Sequence, residues 1–122
     1  MQLPRSITSA LEAGRSLPTG AVVYFLRLRS GQLYIGSSTN LAQRLADHVS
    51  GRACLTTKVD APAALLRVEL SQAFPDARRR EAQLKRWSRA KKEALIRGAF
   101  DQLSALSRSR EPTQRPAKGS EA

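Results

Sequence analysis

Residues 22–48, VVYFLRLRSGQLYIGSSTNLAQRLADH, constrain this chain more than any other stretch. Two runs rich in β-branched and aromatic residues, AVVYFLRLR and QLYIGSS, flank the turn signal Ser30-Gly31 and predict a β-hairpin. The loop decides which side chains share a face. A two-residue turn at Ser30-Gly31 pairs odd with even positions and sends Tyr24 and Tyr34 to opposite faces. A three-residue loop Arg29-Ser30-Gly31, with Gly31 in the left-handed position of a bulge, pairs even with even and puts Tyr24, Leu26 and Tyr34 on one face. The second loop is expected, because glycine fills its one demanding position. Tyr24 then lies opposite Gly36, whose missing side chain leaves space above the sheet. Tyrosine favours strands, so the hairpin taken alone asks for no more than two strand residues.

Asn40 follows as a predicted N-cap with Gln43 as its capping-box partner, and Leu41, Leu45 and Val49 recur at helical spacing until Gly51. AALLRVEL, preceded by Pro62, is a third strand. Pro75 opens a helix over PDARRREAQLKRW, and Ser88 caps another beginning RAKKEALIRGAF and extending toward Leu106. The expected fold class is α+β, a small three-stranded antiparallel sheet flanked by helices. Residues 1–19, broken by Pro4, Gly14 and Pro18, read as an N-terminal extension, and residues 20–106 as the domain. The stretch 107–122 holds almost no apolar residues and reads as a disordered basic tail.

The charge balance narrows the partners. With 21 Lys and Arg against 10 Asp and Glu, a net charge of +11 favours a polyanion, nucleic acid first. No apolar segment is long enough to span a bilayer, and no Lys-rich amphipathic helix with a broad apolar face argues for a membrane surface. A single cysteine, Cys54, fits a reducing compartment, and MQLPRSITSALEAGRSLPTG builds no secretory apolar core, so a cytoplasmic protein is expected.

Three polar residues stand out beside the tyrosines. Arg44 and His48 are four apart on the helix after the hairpin and would flank its apolar stripe, at the rim of the core, where such residues are usually solvated. Glu81 has Ala77 and Leu84 as helical neighbours, which turns its carboxylate inward. Ionised there, it needs an arginine or a metal cation as partner.

Tyr24 in VVY, then YIG at Tyr34 to Gly36, Arg44 and His48 on the next helix and Glu81 on a later one resemble the GIY-YIG nuclease superfamily, in particular its small single-domain bacterial members. The resemblance runs from about Gly20 to Gly98. It departs from the family at Val22-Val23-Tyr24, where Gly-Ile-Tyr is usual. It departs again at Ser37 and Ser38, where a lysine is frequent, and at Glu93, near a frequent asparagine. The resemblance implies an endonuclease that hydrolyses DNA phosphodiester bonds in repair or processing, with Mg²⁺ or Mn²⁺ and no organic cofactor. It makes Glu81 the metal ligand, Arg44 the clamp on the scissile phosphate, and Tyr24 and Tyr34 the pair that activates water. His48 then assists by proton relay or phosphate contact. A phenol is a weak base near neutral pH unless positive charge favours its phenolate, a charge expected from Arg44, the metal and His48.

A dense basic tract runs through Arg78, Arg79, Arg80, Lys85, Arg86, Arg89, Lys91 and Lys92. From it Lys85, Arg86, Arg89, Lys91 and Lys92, joined by Lys58 on the connection before the third strand, are the candidates for DNA binding. Such side chains track backbone phosphates and give affinity with little sequence choice. Trp87, the only tryptophan, suits stacking on an unpaired base or, more simply, the core. Two further classes compete with the enzyme. One is a binding module on the same fold without turnover, for which a lone inward carboxylate has no use. The other is an RNA-bound accessory protein, which would need more stacking aromatics than a 5% aromatic chain offers.

Overall fold

Strand β2 (Val22–Leu28) is buried on both faces, with only Arg27 exposed, because it lies between two neighbours in the sheet. The computed structural model describes residues 5–99, 101 and 103, and these divide between Lys85 and Arg86 into two compact units. The division falls inside the domain expected over 20–106, and the stretch 107–122 lies outside the described residues.

In the first unit, β1 (Arg5–Ser6), β2, β3 (Leu33–Ser38) and β4 (Pro62–Leu70) form an antiparallel sheet in the order β1-β4-β2-β3. Helices α1 (Ile7–Ala13), α2 (Leu41–Ser50), α3 (Leu55–Val59) and α4 (Phe74–Lys85) accompany it, so the α+β class holds. The sheet has four strands among the described residues, not three. The extra strand is two residues long and shows no alternation that a sequence could reveal. It ties the N-terminal segment down: Arg5 pairs with Leu65, Ser6 caps α1 by accepting from the Ser9 amide, and Ala10 and Leu17 enter the core.

The even face of β2, Val22, Tyr24, Leu26 and Leu28, packs with Ala10, Leu17, Leu41, Leu45 and Leu65 in one apolar cluster. On the same strand β2, Val23 and Phe25 alternate to the opposite face. The Leu28 amide donates to the Gln32 carbonyl (2.8 Å), enclosing Arg29, Ser30 and Gly31, and Gly31 has φ 98°. The register follows as expected, with Tyr24 opposite Gly36 and Leu26 opposite Tyr34.

Asn40 caps α2 by accepting from the Gln43 amide, but Gln43 Nε2 donates to Asp47 instead of closing the box, because the Asn40 amide already donates to Ser38 Oγ. Glu69 on β4 accepts from Arg80 Nε (2.9 Å) and Nη2 (3.2 Å) and from Arg67 Nε (3.1 Å). This fork pins α4 to the sheet one residue before Glu81. In the second unit, α5 (Arg89–Arg97) is capped by Ser88 and stopped by Gly98 in the left-handed conformation. Among the described residues, no helix is long and apolar enough to cross a membrane.

Candidate active site

The hairpin places the two tyrosines and α2 brings His48 onto them. The Tyr24 and Tyr34 rings are 6.4 Å apart, and the His48 ring stands edge-on to both, 5.7 Å from Tyr24 and 5.1 Å from Tyr34. Tyr24 Oη lies 2.7 Å from His48 Nε2. His48 is 1% exposed, whereas Val49 is 45% exposed, so the rim position expected for His48 is corrected. At roughly 100° per residue, His48 falls about 20° from Leu41 around the helix axis and Val49 about 80°. The inner stripe of α2 is therefore Leu41, Leu45 and His48.

Burial first and the Arg44 guanidinium second push the His48 imidazole down to about 4, against the opposing pull of the Asp47 carboxylate. His48 is neutral near pH 7 and cannot supply the positive charge expected of it. Both phenols are pushed well above their ordinary range, first by burial. For Tyr24 the neighbouring Tyr34 and the Glu81 carboxylate add to this, and for Tyr34 Cys54 and Glu81 do so. Arg44 alone among the described groups acting on them draws both phenols down. It makes no side-chain hydrogen bond or ion pair among the described residues, which leaves its planar donors available to an anion.

Glu81 comes from α4, whose buried Ala77 and Leu84 set its inward side as expected. Its carboxylate accepts from Ser37 Oγ (2.5 Å) and pairs with Lys85 Nζ (2.8 Å), so its described partners are a serine and a lysine rather than an arginine. Burial would raise its pKa, but the bonds from Lys85 and Ser37 outweigh this and hold it ionised below the usual carboxylate range. The site thus has two parts. Tyr24, Tyr34 and His48 touch one another, while Glu81 acts on the phenols through its charge and contacts Ser37, which alternates with Tyr34 and Gly36 along β3.

Two residues missed in the sequence complete the tyrosine cluster. His48 Nδ1 lies 2.8 Å from Thr57 Oγ1, which lies 3.5 Å from Cys54 Sγ, and Cys54 Sγ donates to Tyr34 Oη at 3.6 Å. Burial raises the Cys54 thiol, but the hydrogen bonds its sulfur accepts, first from the Thr57 side chain, outweigh it and hold the thiol below its usual range. Ser37 was visible only as a departure from a frequent lysine.

Of the basic candidates, Lys58 and Arg86 are exposed, and Lys85 belongs to the Glu81 pair. Within the second unit, Arg89 pairs with Glu93 (2.8 Å), and the Lys91 ammonium sits 4.2 Å from the centre of the half-buried Trp87 ring. Lys92 donates its backbone amide to Ser88. Glu93, at the departure from asparagine, thus has an arginine partner on its own helix.

An antiparallel sheet carrying this tyrosine hairpin, with an arginine-histidine helix and a glutamate helix, is the architecture that the sequence resemblance implied, and the family comparison agrees. Residues 20–94 match the model of the GIY-YIG catalytic domain, and the chain belongs to that nuclease family. It is similar to a UPF0213 protein of Staphylococcus haemolyticus, 34% identical over 74 residues that cover 61% of this chain and 90% of that one. A UPF0213 protein of Halobacterium salinarum is 36% identical over 74 residues, covering 61% and 96%. The solution structure of a UPF0213 protein from Bacillus halodurans is 32% identical, with a TM-score of 0.42 over 62% of this chain and 81% of that one.

Proposed function

We propose that the protein is a divalent-metal-dependent endonuclease that hydrolyses DNA phosphodiester bonds. The observation that carries this reading is the contact cluster of Tyr24, Tyr34 and His48, set beside an arginine without a partner among the described residues and a carboxylate kept ionised. Arg44 offers a permanent planar cation to the scissile phosphate. The tyrosine pair, held protonated by burial and drawn part of the way back toward the phenolate by Arg44, is the proton-accepting group for the attacking water.

Among the described residues no group of three or more His, Cys, Asp or Glu could hold a metal. Magnesium keeps several waters and takes as few as one protein carboxylate, so an ionised, half-buried Glu81 suits it. Held by Glu81, Mg²⁺ or Mn²⁺ would supply positive charge to the nonbridging and leaving oxygens.

One observation favours a second reading, a DNA-binding module without turnover: the Lys85 ammonium already balances Glu81. The test is incubation of the purified protein with single-stranded, duplex, flapped and branched DNAs in Mg²⁺, Mn²⁺ or EDTA. Cleavage with metal and none with EDTA supports the nuclease. Binding without cleavage on every substrate leaves the module. Strand preference and a role in DNA repair or processing follow from which substrate is cut.

A further inference from the structure

Helix α3 is packed in an unusual way. Its two large apolar residues, Leu55 and Val59, are 73% and 76% exposed, and its single buried side chain is Thr57, at 1%. Apolar packing does not explain a helix that turns its leucine and valine to solvent and a threonine inward. The hydroxyl does. Thr57 Oγ1 sits between His48 Nδ1 and Cys54 Sγ, in a chain that runs from Tyr24 through His48, Thr57 and Cys54 to Tyr34.

Counting hydrogens along that chain gives its direction. A threonine hydroxyl has one hydrogen and gives it to one neighbour. Cys54 donates its thiol hydrogen to Tyr34 Oη, which leaves the sulfur as an acceptor toward Thr57. Thr57 therefore donates to Cys54 and accepts from His48, so the ring hydrogen is on Nδ1. Nε2 is bare and accepts from Tyr24, whose hydroxyl hydrogen is spent inward. Tyr34 accepts from Cys54, donates to no described residue and is less buried than the 1% exposed Tyr24.

We infer that Thr57 is a positioning residue that holds His48 in the Nδ1–H tautomer, and that the resulting proton order leaves Tyr34 as the hydroxyl of the pair that donates to an incoming phosphate. The tautomer follows from the hydrogen-bond chain alone. The phosphate role rests on the nuclease reading above.

The chain contains one histidine, so the imidazole nitrogens of ¹⁵N-labelled protein give a single, unambiguous pair of signals. At neutral pH without DNA, the parent should show a protonated Nδ1 and a bare Nε2. Thr57→Ser, which keeps the hydroxyl, should preserve that pattern. Thr57→Val, which keeps the shape, should lose it in favour of Nε2–H or a mixture. A role in packing alone would lower the melting temperature without moving the tautomer. A parent with Nε2–H, or a folded Thr57→Val protein that stays fully Nδ1–H, would overturn the inference. The parent spectrum decides the direction even if Thr57→Val does not fold. Where cleavage is observed, Thr57→Val should lower kcat by about 10–100-fold, by analogy with the loss of partners that orient metal-binding imidazoles, with KM for DNA little changed. If the parent cleaves no DNA, the nuclease reading fails while the tautomer result stands.

Discussion

The ring of Tyr24 fills the space above Gly36, its partner across the β2–β3 ladder: a Cβ at Gly36 would come within 2.6 Å of Tyr24 Cζ. Tyr24 is 1% exposed and held by His48, so its ring has nowhere to retreat. Gly36→Ala should therefore cost about 1–3 kcal/mol through overpacking. It should also pull Tyr24 Oη away from His48, seen as a lower melting temperature together with shifted His48 ring signals. A variant with the parental melting curve and spectrum would contradict the contact.

His48 supplies a pH prediction. Its folded pKa, about 4, lies below its ordinary value of 6.5, so the native state favours the neutral ring. That contribution is whole above pH 6.5 and is lost as pH falls from there toward 4, as the unfolded chain binds the proton first. The expected signature is an imidazole that does not titrate between pH 8 and about 5. A midpoint near 6.5 would place the ring in solvent.

The fork between Glu69 and the arginines on β4 and α4 is the device that locates Glu81. Burial raises the Glu69 carboxyl, but bonding to Arg80 and Arg67 outweighs this and depresses it, so its contribution is present above the unfolded carboxylate pKa and fades as pH falls through the lower folded value. Glu69→Gln should cost about 1.5–3 kcal/mol at neutral pH, the worth of hydrogen bonds to charged groups. The difference from the parent in urea midpoints should shrink in acid. An equal difference at both pH values would mean that charge plays no part.

DNA affinity should depend on the exposed cations. Lys58→Ala and Arg86→Ala should each weaken binding similarly for all sequences, and each should make the log–log salt dependence shallower by about one. An unchanged slope would leave those side chains as a solvated surface.

Glycine chemistry made the hairpin legible: Gly31 fills the one demanding position of the three-residue loop, and of the two loops that one puts Tyr24 over Gly36. The stripe of α2 was legible at Leu41 and Leu45 but continues through a polar residue, His48, which hydrophobic periodicity passes over in favour of Val49. Thr57 and Cys54 carry no local signal at all, since their meaning lies in hydrogen bonds to residues on α2 and β3. The same holds for Glu69, which reads as part of an ordinary strand until α4 folds back onto it. Strand β1 is too short for any periodicity and exists because β4 offers it an edge.

The central claim turns on the carboxylate of Glu81, and Glu81→Gln tests it most directly. The substitution keeps the side-chain volume and releases Lys85, which is 52% exposed, so no buried cation is stranded and the cost should stay within about 1 kcal/mol. In Mg²⁺ or Mn²⁺ the parent should cleave DNA and Glu81→Gln should not. In EDTA the variant should bind DNA as tightly as the parent or more so, because a negative charge has left a phosphate site. A Glu81→Gln protein that cleaves as the parent does, or a parent that cleaves nothing while the variant loses several kcal/mol of stability, would contradict the nuclease account.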